Sequence, residues 1–270
     1  MKIMKLMMKH NIIFGIVLAF IFSGLFIVIT IPLRNIITSS TLWRLISSIQ
    51  RILFGIGELI LYIKLFDKGH LRNVINFNNY KKALLAGIPL LLLTLFFTFY
   101  IIFGCEGFSK LNFWFIAFLI LQQLATGFWE ELTFRGYFMQ GIIDKYGDKL
   151  VYRLLTCLII GCIFGLLHAV ESISWYDALN RFVKTGIMGV SFASIFLYSK
   201  NLLIPMILHA IYDIPANIVD LADIKNPLST LLFGFYNALF WIELLVAIVI
   251  IVYPCIKDKK LKRQLVQAES

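Results

Sequence analysis

The chain is poor in charge: only 15% of its 270 residues are Asp, Glu, Lys or Arg, while 60% are hydrophobic. A soluble domain averages about 25% charged and about 45–50% apolar residues, so a water-exposed globule is excluded. Six prolines and 17 glycines are too few and too scattered for a disordered or low-complexity chain. The four cysteines, Cys105, Cys157, Cys162 and Cys255, form no CxxC pair, which leaves neither a disulfide framework nor a thiolate metal site. HExxH is missing, as are internal repeats and any linker-like stretch. Residues 1–270 therefore read as a single integral membrane domain.

Long apolar runs take the place of charge. Lipid offers backbone polar groups no partner, so each run is expected to be a helix, and about 20 residues span the hydrocarbon layer. Eight spans can be drawn, at about 11–31, 45–66, 83–103, 116–143, 152–170, 182–199, 202–219 and 230–254. The fold class is all-α, a polytopic membrane helix bundle of about eight transmembrane helices. The first run exceeds a signal-peptide core and lacks a small-x-small cleavage site, so it is read as an uncleaved helix. The second is the most polar: Arg44, Arg51 and Glu58 recur every seven residues, a stripe that faces the bundle interior or the interface.

The formal charge of +10 does not point to nucleic acid, because the basic residues lie between apolar runs rather than along one soluble face. They alternate. Lysines 2, 5 and 9, the basic residues of 64–82 and 145–153, Lys200 and the run Lys257–Arg263 fall on one side. The other side holds only Arg34, Lys110, Arg181, Lys184 and Lys225. The positive-inside rule then sets both termini in the cytoplasm, with the tail contacting anionic lipid. The lack of organellar signals and of extra domains favours a prokaryotic plasma membrane.

Against this background a few ionisable groups stand out. Glu130, Glu131 and Arg135 lie within the fourth run, His168 ends the fifth, and His209 and Asp213 lie in the seventh. An ionisable group at membrane depth costs roughly 2.5–3.5 kcal/mol on insertion scales, so such a cluster marks a functional site. With a rise of 1.5 Å per residue, Glu130 and His168 lie about 21–22 Å above the cytoplasmic surface, and His209 about 14 Å. Three helices thus bring polar groups to overlapping depths. Glu131 and Arg135, four apart, are expected to pair, which turns Glu130 about 100° away and leaves it available as a general base or acid. Phe164 stacks beneath His168 by the same spacing, and Asp213 accompanies His209. Gln122 and Gln123 read as interhelical hydrogen-bonding groups, Glu58 as a packing group, and Trp175 and Tyr176 as an outer interfacial belt.

EExxxR (Glu130, Glu131, Arg135), FxxxH (Phe164, His168) and HxxxD (His209, Asp213) resemble the three motifs of the CPBP, or Abi, family. That family includes the Rce1-type CAAX prenyl proteases and bacterial proteins linked to bacteriocin immunity and peptide processing. The resemblance covers about residues 83–219 and implies an intramembrane endopeptidase. In it Glu130 and His168 activate a water for attack on a peptide carbonyl. His209 and Asp213 hold the oxyanion side, and Arg135 orients through Glu131. Asp213 departs from the Asn of the prenyl proteases, and a carboxylate donates a hydrogen bond only when protonated. Glu130, His168, His209 and Asp213 form an N/O set that zinc accepts, and the family is commonly called metalloprotease. The Rce1-type resemblance instead implies a glutamate-driven mechanism without a catalytic metal, the version favoured here. The implied partner is a membrane-associated peptide or protein, with a prenyl group allowed but not required. The cavity is expected among helices 4, 5 and 7 and open to the cytoplasm. Two other classes compete: a non-proteolytic bacteriocin-immunity or binding protein, and an ion-coupled transporter. Against the latter, no repeated halves are visible.

Overall fold

The computed structural model describes residues 11–65, 77–104, 111–147, 149–170, 172–219 and 227–269. Cys105, Lys110 and Lys225, and the basic N-terminus, lie outside them. Every run predicted to be helical is helical. In chain order these are α1 (Asn11–Ile36), α2 (Ser40–Leu65), α3 (Tyr80–Gly104) and α4 (Phe113–Glu131). A π-helical segment (Leu132–Met139) and the short α5 (Gln140–Tyr146) continue the rod of α4. Then come α6 (Leu150–Ala169), α7 (Trp175–Ser199), α8 (Leu203–Val219) and α9 (Pro227–Glu269).

Among the described residues five helices are long and apolar enough to cross a membrane: Tyr80–Phe103, Phe113–Ile143, Leu150–Ala169, Trp175–Ser199 and Thr230–Lys257. The bundle is all-α and membrane-type. α8 has 17 residues, short of a full span, and α2 carries the polar stripe. That stripe faces inward: Arg44 donates to Gln122 and Asn217, and Gln122 donates back to Ser47, lacing α2 to α4 and α8.

α7 starts seven residues before the predicted position, at Trp175. Ser174 caps it by accepting from the Asp177 amide, so residues 175–181, outside the predicted span, are helix as well. Trp175 and Tyr176 are exposed, as an interfacial belt requires. Its other end turns sharply: Lys200 adopts a left-handed conformation, and Asn201 caps α8 through the Ile204 amide while donating to the Asn78 carbonyl.

α7 is the central post, with 67% of its span buried inside the protein against 22–44% for the other four. It contributes to both apolar clusters. One joins the π-helical segment to α6, α7 and α9 through Phe134, Phe164 and Phe196, and the other joins α3 to α7, α8 and α9 through Phe97, Phe192 and Phe240. Small residues let helices meet closely, as membrane packing without a solvent-driven force demands. Gly161 on α6 faces Gly186 and Gly189 on α7, and Gly127 on α4 lies directly against the backbone of Met206 on α8.

Gly127 therefore sets the distance between the helices that carry Glu130 and His209. Alanine there would drive its Cβ into the Met206 carbonyl. Gly127→Ala is expected to lower stability by about 1–3 kcal/mol, as overpacking does, and to reduce activity by moving α8 away from α4. Gly57→Ala, which meets nothing within 4 Å, is the control and is expected to keep the wild-type melting temperature or raise it. Thermal unfolding in detergent compares the two.

Candidate active site

The rod of α4 presents the acidic pair. Glu131 turns into the bundle, where neither it nor Arg135 is exposed at all. Arg135 Nη1 meets Glu131 Oε1 at 2.8 Å, and its Nη2 donates to the Gly189 carbonyl on α7 at 2.8 Å. The rings of Phe164, Phe192 and Phe134 surround the guanidinium at 5.2, 5.4 and 5.9 Å. A buried cation is thus held by one carboxylate, one carbonyl and three aromatic faces, each suited to a guanidinium. Arg135 lies in the π-helical segment that follows the pair. Such i→i+5 stretches cluster at functional sites.

α8 brings His209 to the same oxygen. Its Nδ1 lies 2.9 Å from Glu131 Oε1, so one carboxylate oxygen serves both the arginine and the imidazole. A carboxylate there accepts, so Nδ1 carries the hydrogen. Phe192 stacks on the ring at 4.9 Å and Phe164 meets its edge at 5.8 Å. The Nε2 edge is left facing Asp213 Oδ2 at 3.4 Å and Glu130 Oε2 at 3.8 Å. Glu130 points away from Arg135, as its one-residue offset from Glu131 requires. Its Oε2 is buried and accepts no hydrogen bond among the described residues.

On α6, His168 Nδ1 lies 2.8 Å from the Phe164 carbonyl, with the Phe164 ring 4.5 Å below the imidazole. A carbonyl only accepts, so Nδ1 carries a proton and Nε2 is the ring's other nitrogen, not taken up by that bond. His168, Glu130, His209 and Asp213 all line one cavity of about 650 Å³. The structure brings Glu130, Glu131, Arg135, His209 and Asp213 into direct contact, and His168 lines the same cavity.

α2 buttresses the acidic helix from behind. Glu58 accepts from Trp129 Nε1 at 3.0 Å and from Thr133 Oγ1 at 2.5 Å, and Tyr137 donates to the Glu58 carbonyl. It is buried packing that fixes the rotation of α4, consistent with the blander reading from sequence.

One expectation about the cavity needs correction. It is lined by far more than helices 4, 5 and 7 of the sequence reading: Phe26 and Arg51 come from α1 and α2, Phe97 from α3, Met188 and Phe192 from α7, and Tyr236 from α9. Its lining draws on the later parts of α3, α6 and α8 and the first turns of α7 and α9, in the half of the bundle away from the C-terminal end of α9.

Sequence reasoning passed over α7. Gly189 and Phe192 hold Arg135 and His209, yet neither carries the ionisable signal that exposes a membrane site. As to zinc, no three His, Cys, Asp or Glu side chains group around a metal-sized position among the described residues.

With this geometry in place, residues 112–215 match the family model described as type II CAAX prenyl endopeptidase, Rce1-like. The match encloses all three motifs, from Glu130 to Asp213. It supports an intramembrane protease at the level of that family. No curated protein and no solved structure matches the chain.

Proposed function

We propose that the protein hydrolyses a peptide bond of a membrane-associated peptide or protein, with a water as nucleophile and Glu130 as its base. The observation that carries this reading is the buried Oε2 of Glu130, which accepts no hydrogen bond among the described residues and faces a cavity that His168 also lines. A water between them has two acceptors for its two hydrogens, Glu130 Oε2 and His168 Nε2, so its oxygen lone pair is aimed at the substrate. Glu130 takes one proton as the new C–O bond forms, then passes it to the leaving nitrogen as the C–N bond breaks. His209 Nε2, on the same wall, is the donor to the oxyanion. Asp213, 3.4 Å from that nitrogen, orients the imidazole rather than donating itself. Arg135 and Glu131 act through His209 as positioning residues.

The reading uses no metal. Activity is expected to change less than about twofold after prolonged chelation and dialysis, since removing a catalytic zinc would remove its several kcal/mol of charge stabilisation. Loss on chelation with recovery on adding zinc would contradict the metal-free chemistry.

With the termini in the cytoplasm, the cavity faces the outer side of the plasma membrane, and the substrate reaches it from there or from the bilayer. A prokaryotic host and a prenyl-independent substrate suit that placement. The test is purified protein in lipid vesicles, incubated with membrane peptides and read by mass spectrometry for new termini. New termini at defined bonds are expected. Their absence, with intact peptide retained by the protein, would favour a binding protein instead.

A further inference from the structure

Of the helices that carry the ionisable groups, α8 is the shortest, and it holds Pro215 inside it, two residues after Asp213. A proline has no N–H, and its ring crowds the carbonyl four residues back, here that of Ile211. The backbone of α8 therefore grips its own last turns less firmly. Asp213 lies within the loosened stretch, and its carboxylate faces His209 Nε2 at 3.4 Å. The end of α8 depends on partners from other helices.

Arg44 on α2 supplies them. Its Nη1 donates to Asn217 Oδ1 on α8 at 2.9 Å and to Gln122 Oε1 on α4 at 2.7 Å. Asn217 in turn donates through Nδ2 to the Asp213 carbonyl at 3.0 Å. Gln122 is itself fixed, since its amide nitrogen donates to Ser47 Oγ at 2.8 Å and turns the oxygen to the arginine. The guanidinium rests over the Phe115 ring at 5.0 Å. It meets α8 two residues short of its end at Val219, where helix carbonyls carry partial negative charge and a cation is favoured.

Both arms lead to the reacting groups. Asn217 is one turn from Asp213, about 6 Å along the axis, and Gln122 is two turns from Glu130, about 12 Å. Gln122, Glu130, Asp213 and Asn217 all line the cavity. Glu131 fixes the Nδ1 edge of His209. The clasp acts on the other edge, through Asp213.

We propose that Arg44 is a positioning residue: it clasps the proline-weakened end of α8 to α2 and α4 and so keeps Asp213 against His209. Its part in cleavage rests on the hydrolase reading, whereas the clasp itself does not.

The test is hydrogen exchange read by mass spectrometry on the full-length protein in neutral detergent. Beside it runs cleavage, in lipid vesicles, of a membrane peptide that the unsubstituted protein cuts. Arg44→Met is expected to speed exchange in fragments covering 211–219 by about tenfold, the scale of one charged hydrogen bond, and to leave α6 unchanged. The same variant is expected to lower kcat by about 10–100-fold with KM within about twofold, because a misplaced Asp213 costs orientation rather than binding. Arg44→Lys reaches one amide at a time and is expected to recover part of both effects. Asn217→Ala removes the α8 arm alone. It should reproduce both effects, add little to Arg44→Met, and take its place if that variant does not fold. Unchanged exchange at 211–219 overturns the proposal. So does faster exchange with unaltered kcat, or an equal loss of protection throughout the bundle, which makes Arg44 a general packing residue. If exchange at 211–219 responds but the unsubstituted protein cuts no peptide, the hydrolase reading fails and the clasp stands.

Discussion

Glu130→Gln is expected to lower the cleavage rate by about 10²–10⁴-fold, the range for loss of a positioned general base, while the protein still folds and inserts. Glutamine keeps the shape and removes the basicity. Because Glu130 Oε2 accepts no hydrogen bond, the exchange breaks no hydrogen bond at that oxygen. It also leaves the contacts of Arg135, Glu131 and His209 Nδ1 intact. The loss should appear in kcat rather than in substrate affinity, since the proton moves in the transition state. Single-turnover cleavage in vesicles, beside thermal unfolding of both proteins, separates chemistry from stability. A variant that cleaves within a few-fold of wild type would remove Glu130 from the reaction.

Arg135→Met is expected to act on stability instead, by about 3–5 kcal/mol, the usual result of stranding one member of a buried ion pair. The substitution keeps an unbranched side chain among Phe134, Phe164 and Phe192 but leaves Glu131 with His209 alone. The Gly189 carbonyl loses its donor as well, which unties the π-helical segment from α7. If the cost comes from the uncompensated carboxylate, Glu131→Gln added to Arg135→Met should recover part of it, and the pair will be strongly non-additive. Melting temperatures of the two single variants and the double variant in one detergent make the comparison. Additive losses would mean that Arg135 acts through its aromatic cage and Gly189 rather than through Glu131.

Much of this arrangement is visible in the amino-acid sequence because lipid makes the rules strict. Apolar runs locate the helices, and fixed rise per residue puts Glu130, His168 and His209 at meeting depths. The four-residue spacing of Glu131 and Arg135 specifies their pairing, and the neighbouring Glu130 is turned free. The seven-residue recurrence of Arg44, Arg51 and Glu58 is an inward stripe.

What escapes such reading is whatever carries no charge or period. Gly189 offers only a carbonyl and Phe192 only a ring, so the central role of α7 has no ionisable label. The π-helical turn after Glu131 leaves the apolar character of the run unchanged. The early start of α7 did have a signal: Ser174 with Asp177 three residues on is the pattern of a capped helix.

The central claim is that a water held at Glu130 cleaves the substrate, and its most direct measurement is cleavage in water enriched in oxygen-18. Purified, reconstituted protein should give two fragments whose masses sum to the peptide plus one water, with the label in the new carboxylate and none formed by Glu130→Gln. Unbroken peptide with the wild-type protein, or labelled fragments released equally fast by Glu130→Gln, would contradict it.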